Sequence, residues 1–152
     1  MSRPPKPGDR PWMMPYLAVS DVEKSLDFYK QAFGFEEIRA LAGPDGRLAH
    51  AGLRWHDTRI LIGSEDREKI GRLESPIGHT PKALRGTPIV LYLYTEDVDA
   101  LYRRAIEAGA LDGYPPDEMP WGDRVCLLFD ADGHAWNFAT NVRDDPYAPG
   151  SA

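Results

Sequence analysis

The chain has 152 residues, a formal net charge of −6 and 42% hydrophobic residues, a length that suits one compact domain or two small modules sharing a core. It can bury enough apolar surface to fold without disulfides or a structural metal. Its Lys and Arg residues are scattered among acids, which disfavours nucleic acid as a partner, and no apolar run approaches the roughly 18 residues of a membrane span.

Taken in chain order, residues 1–11 carry Pro4, Pro5, Pro7 and Gly8 with no apolar stretch, and read as a flexible arm and not a secretory signal. Met13–Val19 is rich in strand formers, with Pro15 marking an edge position or a strand start. Ser20-Asp21-Val22-Glu23 has capping-box spacing. Val22, Leu26, Tyr29 and Phe33 follow at helical intervals until Gly34 stops the helix. Three strands are expected next: Phe35–Leu41, turned by Pro44-Asp45-Gly46; Leu48–Trp55, turned by His56-Asp57; and Thr58–Ser64. These make a first βαβββ module over 12–64. Residues 65–86 hold Gly71, Pro76, Gly78, Pro81 and Gly86 among many charges and read as a linker or lid.

The order then repeats over 87–142. Ile89–Thr95 is a strand, Asp97 caps a helix with Val98, Leu101, Tyr102 and Ala105 on one face, and Gly109 ends it. A short strand near Ala110-Leu111 is expected to run into a loop at Pro115-Pro116, followed by Arg124–Asp130, a turn at Asp132-Gly133 and Ala135–Thr140. Residues 143–152 read as a frayed polar tail. Asp21-Val22 recurs as Asp97-Val98 at an offset of 76 (97 − 21), and Arg47 as Arg124 at 77 (124 − 47). Two copies of one unit, neither able to bury its apolar face alone, explain the near-constant offset.

Val19-Ser-Asp-Val-Glu-Lys-Ser-Leu-Asp-Phe-Tyr29 with Phe33-Gly-Phe35, Thr95-Glu-Asp-Val-Asp-Ala-Leu101 with Ala108-Gly-Ala110, Trp121-Gly-Asp-Arg124 and Asp130-Ala-Asp-Gly-His-Ala-Trp136 together resemble the vicinal oxygen chelate superfamily. That superfamily includes glyoxalase I, bleomycin-resistance proteins and extradiol dioxygenases. The resemblance spans about residues 12–142 and implies an α+β fold: two βαβββ modules forming curved mixed sheets around a cleft, helices on the outside. It leaves activity open, because the superfamily holds isomerases, dioxygenases, lyases and drug-binding proteins.

The resemblance also implies where a metal would sit. Relatives draw one ligand from the first strand of each module, seven residues before the helix-starting Asp, and another from the last strand. Those positions are Met14, Val90, Asn137 and, at an offset of 77, Ile60. None replaces the imidazoles and carboxylates that hold a divalent ion, so no cofactor is expected; the alternative is a divalent metal at a non-standard site.

Strand alternation assigns the faces. Leu17, Val19, Leu91, Leu93, Trp136 and Phe138 are expected to face the helices. Met14, Tyr16, Ala18, Val90, Tyr92, Tyr94 and Asn137 then face the cleft, and Leu53 and Trp55 join them through the assignment of Ile60. Tyr16, Leu53, Trp55, Tyr92, Tyr94, Trp121, Arg124 and Asn137 are the candidate ligand-binding residues, a wall suited to a flat, partly apolar or cationic guest. The same rings could instead fill a closed core or a dimer seam. His50 is expected to face away from the cleft, His79 to sit in the linker, and His134 to cap its turn. Asp123-Arg124 is expected to form a local ion pair fixing the Trp121 loop. Cys126, the only cysteine, reads as an inert core thiol in a reducing, cytoplasmic compartment.

The expected function is a metal-free small-molecule binding protein, for an aromatic antibiotic or metabolite, acting as a homodimer. The alternatives are a glyoxalase-like lyase, isomerase or dioxygenase with a non-standard or metal-independent site, and a structural module with a filled core.

Overall fold

Two copies of the same strand–helix–three-strand unit build the protein. The computed structural model describes residues 3–65 and 78–150; most of the expected linker, with its lid role, lies outside the described residues. Chain contacts divide the molecule into two units, the described parts of Met1–Lys30 with Gly34–Thr80, and of Gln31–Phe33 with Pro81–Ala152.

In the first unit, β1 (Tyr16–Val19) is followed by α1 (Val22–Phe28), then β2 (Glu36–Ala42), β3 (Leu48–Trp55) and β4 (Thr58–Ser64). The sheet order is β1-β4-β3-β2, with β1 parallel to β4 and the other pairs antiparallel. Asp21, and not Ser20, caps α1: its carboxylate accepts from the Lys24 amide at 3.1 Å. The aspartate reaches the orphan amide of the first turn, so no reciprocal capping box is needed. Beyond Phe28 the helix widens into a π-helical turn, Tyr29–Phe33, a short irregularity that helical spacing alone does not announce. Val22, Leu26 and Tyr29 are buried against the side of the sheet that holds Leu17, Val19, Ala51, Leu53, Ile60 and Ile62. The N-terminal arm is not wholly loose, since Asp9 pairs with Arg59 of β4 at 3.0 Å.

In the second unit, α2 (Pro81–Leu84), β5 (Val90–Tyr94), α3 (Val98–Glu107), β6 (Leu111–Glu118), β7 (Asp123–Phe129) and β8 (Ala135–Asn141) follow one another. The order β5-β8-β7-β6 repeats that of the first sheet, again with a single parallel pair, β5 with β8. α2 falls inside the stretch read as linker. Asp97 caps α3 by accepting from the Ala100 amide at 2.9 Å. Trp136, Phe138, Cys126 and Leu128 are buried on the α3 side, where Phe33 packs its ring on Trp136 and Phe138.

β6 corrects an expectation. It does not stop short of Pro115-Pro116 but carries both prolines between the paired residues Tyr114 and Asp117, at a register shift. β6 is an edge strand, so two residues without an N–H break no inner ladder. The tail is also partly tied down: Arg143 donates to the carbonyls of Met119 at 2.8 Å and Pro120 at 3.0 Å.

Each sheet therefore carries its unit's helix on one face and, among the described residues, no helix packed on the other, here called the helix-free face, and the architecture is the expected α+β fold of two βαβββ modules. Among the described residues no helix is long and apolar enough to cross a membrane.

Candidate functional site

On the second sheet, alternation along β5 sends Leu91 and Leu93 towards α3 and Tyr92 and Tyr94 to the helix-free face. Tyr92 lies beside Asn137 of β8, and Tyr94 beside Ala139. Asp123 opens β7 on that same face, in register with Asn141. Its side chain is buried at 2% exposure. Both tyrosine hydroxyls donate to one of its oxygens, Tyr92 at 2.7 Å and Tyr94 at 2.8 Å. The other oxygen accepts from the Asn141 amide nitrogen at 3.0 Å. The Trp121 indole N–H donates to the Tyr92 hydroxyl at 3.3 Å, so a chain of donors runs from tryptophan through tyrosine to carboxylate.

The loop that carries Trp121 is held by Gly122, whose carbonyl accepts from the amides of Val142 and Arg143. Burial works against a charged Asp123, but the hydrogen bonds from Asn141, Tyr92, Tyr94 and Trp121 outweigh it and hold the carboxyl below the usual range. Burial pushes the Tyr92 hydroxyl far above the ordinary phenol value, opposed by Trp121 and reinforced by Asp123. For Tyr94 the hydrogen bond to Asp123 comes first and burial second. At neutral pH the cluster is thus an anion wrapped by neutral phenols. Deeper along the same face, Asn137 donates to the Tyr114 hydroxyl at 3.1 Å and to the Cys126 carbonyl at 3.0 Å.

On the first sheet, Tyr16 again stands on the helix-free face, but its company differs from expectation. His50 is on that face too, stacked on Tyr16 with ring centroids 5.6 Å apart and its Nδ1 3.2 Å from the Tyr16 hydroxyl. Arg39 lies 3.3 Å from Nε2. A guanidinium can only donate, so Nε2 accepts and Nδ1 carries the proton towards Tyr16.

Leu53, Trp55 and Ile60 turn to the opposite side. Leu53 pairs with Ile60 and Trp55 with Thr58, Leu53 and Ile60 are buried, and the Trp55 ring packs on Phe35, which packs on Tyr29 of the helix. The reason is a one-residue parity error. Tyr16 pairs with Leu61 and Tyr92 with Asn137, so the counterpart of Asn137 is Leu61 at an offset of 76 (137 − 61), not Ile60 at 77. A slip of one residue moves every side chain of a strand to the other face.

Arg124, also among the candidates, lies on the α3 side of its sheet and forms a two-point ion pair with Asp99, at 2.8 and 2.9 Å, instead of the expected pair with Asp123. The turn before β8 is organised by Asp130, which accepts from the amides of Asp132 and His134 and from the Trp136 indole; His134 contributes its backbone. Sequence reading missed Asp123, Asn141 and His50 as members of these clusters. The alternation Asp123, Val125, Leu127 was available to place Asp123 opposite Arg124.

The residues at the positions where the resemblance implies a metal do not fit one. Met14, Val90, Asn137 and either Ile60 or Leu61 offer no imidazole or carboxylate. Among the described residues no group of three or more His, Cys, Asp or Glu side chains converges.

The model of the Glyoxalase/Bleomycin resistance protein/Dioxygenase superfamily matches residues 12–138. The Mycobacterium bovis protein Mb0911c is 35% identical over 134 residues, covering 88% of this chain and 86% of its own length. The crystal structure of TioX from Micromonospora sp. ML1 superposes with a TM-score of 0.67 at 23% identity, covering 86% of this chain and 98% of TioX, a likeness of fold. TnmS3 from Streptomyces sp. CB03234, an antibiotic binding protein, is 28% identical with a TM-score of 0.58, covering 82% of this chain and 90% of TnmS3.

Proposed function

Because the chain belongs to the Glyoxalase/Bleomycin resistance protein/Dioxygenase superfamily, we propose that it is a metal-free small-molecule binding protein whose guest is a flat aromatic antibiotic or metabolite. One observation carries the reading: Tyr92, Tyr94 and Trp121 expose their rings on the helix-free face of the second sheet while their polar ends are tied inward to a buried carboxylate or to one another. Such surfaces bind planar molecules by stacking, with little side-chain entropy left to lose. The likeness to TnmS3, an antibiotic binding protein, supports an antibiotic as guest, and the lack of ligating side chains at the positions where the resemblance implies a metal supports binding without an ion. Asn137, already hydrogen-bonded to Tyr114, supplies a polar group on the same face.

Titration with a panel of planar drug-like molecules, followed by intrinsic tryptophan fluorescence and calorimetry, tests the reading. Saturable binding by at least one member is expected; silence across a broad panel would sink it. Tyr16, His50 and Arg39 favour a second reading, a lyase, isomerase or dioxygenase of the same superfamily, because a tyrosine coupled to an oriented imidazole can move a proton. Stoichiometric transition metal surviving dialysis favours an enzyme with a metal at a non-standard site, and turnover that persists in metal-free protein but is lost in Tyr16→Phe favours the proton-transfer form. The binding reading carries two further expectations, a homodimer in solution and a cytoplasmic location, checked by sedimentation and by cell fractionation.

A further inference from the structure

The corner over Asp123 also specifies the charge of its guest. We infer that Tyr92, Tyr94 and Trp121, set over the buried Asp123 carboxylate, form a cation-selective subsite that takes a positively charged nitrogen of a flat aromatic guest. This subsite presupposes the binding function proposed above and adds to it the sign of the ligand's charge and the residues that choose it.

Surface tyrosines ordinarily rest the ring on the protein and keep the hydroxyl in water. Here the arrangement is reversed. Both hydroxyls are directed at Asp123, yet Tyr92 is 42%, Tyr94 56% and Trp121 40% exposed. What the corner offers outward is ring surface. The two tyrosine rings stand 70° apart with centroids separated by 5.7 Å, two walls meeting near a right angle, and the indole is fixed to one of them through its N–H. An aromatic face carries partial negative charge and attracts cations.

The charge behind the rings has the same sign. Asp123 is 2% exposed and has no salt bridge with Lys or Arg among the described residues. Asp145 adds its field at Tyr94. The guanidinium of Arg143 on the adjoining tail keeps its charge but is held at the carbonyls of Met119 and Pro120 and forms no salt bridge with Asp123. A cation seated against the rings gains from both the π faces and the carboxylate, whereas a neutral guest gains stacking alone and an anion is repelled.

Acridine, kept uncharged in mildly alkaline buffer, and N-methylacridinium, nearly the same shape with a permanent charge, isolate that difference. Calorimetric titration should find the cation binding about tenfold tighter to the native protein. Asp123→Asn, which keeps the size of the side chain and removes the charge but turns one of its two accepting ends into a donor, should bring the ratio towards one while acridine still binds. Should Asp123→Asn lose the native circular dichroism, Tyr94→Leu and Trp121→Leu carry the same test, because truncating an exposed ring spares the core; each should lower the ratio. Equal affinities of the native protein for the two probes would overturn the cation preference and leave the binding function standing. No binding of N-methylacridinium would overturn the subsite as well, and the binding function would then rest on the wider panel.

Discussion

Replacing Gly122 by Ala tests the reasoning about the Trp121 loop, and Gly109→Ala supplies its control. The two glycines have almost the same left-handed backbone, φ +102° and +103°, a conformation that costs an ordinary L-residue about 1–2 kcal/mol. Alanine recovers roughly 0.4–1 kcal/mol by restricting the unfolded chain. Gly109 has nothing within 4 Å of an added Cβ, so its substitution should cost about 1 kcal/mol net. At Gly122 the new methyl would lie 3.0 Å from the Asp144 carbonyl oxygen and still closer to that of Arg143. The backbone at 143–144 must then move. The Gly122 carbonyl accepts from the amides of Val142 and Arg143 and from the Asn141 side chain, so at least two of those bonds are weakened, at about 1 kcal/mol each. The expected total is about 3 kcal/mol, a fall in Tm of roughly 6–12 °C against roughly 2–4 °C for the control. Urea unfolding followed by fluorescence and circular dichroism measures both. If the two variants agreed to within about 0.5 kcal/mol, the packed contact between the Trp121 loop and the tail would not exist as described.

Four further outcomes follow from the same contacts. The folded-state pKa of Asp123 lies below its unfolded value, so the stability it contributes is fully present above about pH 4 and is lost as pH falls through the lower folded value. The urea midpoint of native protein should therefore exceed that of Asp123→Asn near neutrality and converge on it in acid; a pH-independent gap would contradict the assignment. Cys126, fully buried with its thiol pushed up to about 11 by burial, should resist a disulfide reagent at neutral pH until denaturant is added, and rapid labelling of folded protein would place it elsewhere. Trp136→Phe removes the indole donor to Asp130 at 3.0 Å within a buried turn and should cost about 2–4 kcal/mol in urea, more than a ring exchange alone. Arg124→Gln should change the affinity of any guest of the aromatic face by less than about twofold, because that side chain serves Asp99 on the α3 side; a large loss would return Arg124 to the binding surface.

Local chemistry made most of the fold legible. Asp21 and Asp97 before apolar residues at helical spacing, glycines after them, and alternating strands bounded by turns are signals that act within a few residues. The strands Leu48–Trp55 and Thr58–Ser64 stand where the pattern placed them. The faces of β1, β5 and β8 followed from alternation alone, so Tyr16, Tyr92, Tyr94 and Asn137 were located correctly on their sheets. Leu53 and Trp55 were not, because their faces were carried from a distant strand through an offset of 77 where the true registers require 76. The prolines of β6 misled for another reason: a proline's cost depends on whether its strand is inner or edge, and that depends on sheet order.

What the sequence determines by itself is therefore the element order of the two modules and their repeat, since both are properties of residue type and short spacing. Only the tertiary structure decides which partner Asp123 takes. Its neighbour Arg124 was the obvious choice on sequence proximity, yet adjacent strand residues point to opposite faces, so Arg124 goes to Asp99 while Asp123 meets Tyr92, Tyr94 and Asn141 from two other strands. A charge cluster assembled from residues roughly 20–30 positions apart is written in strand register, and register is set by packing across the whole sheet.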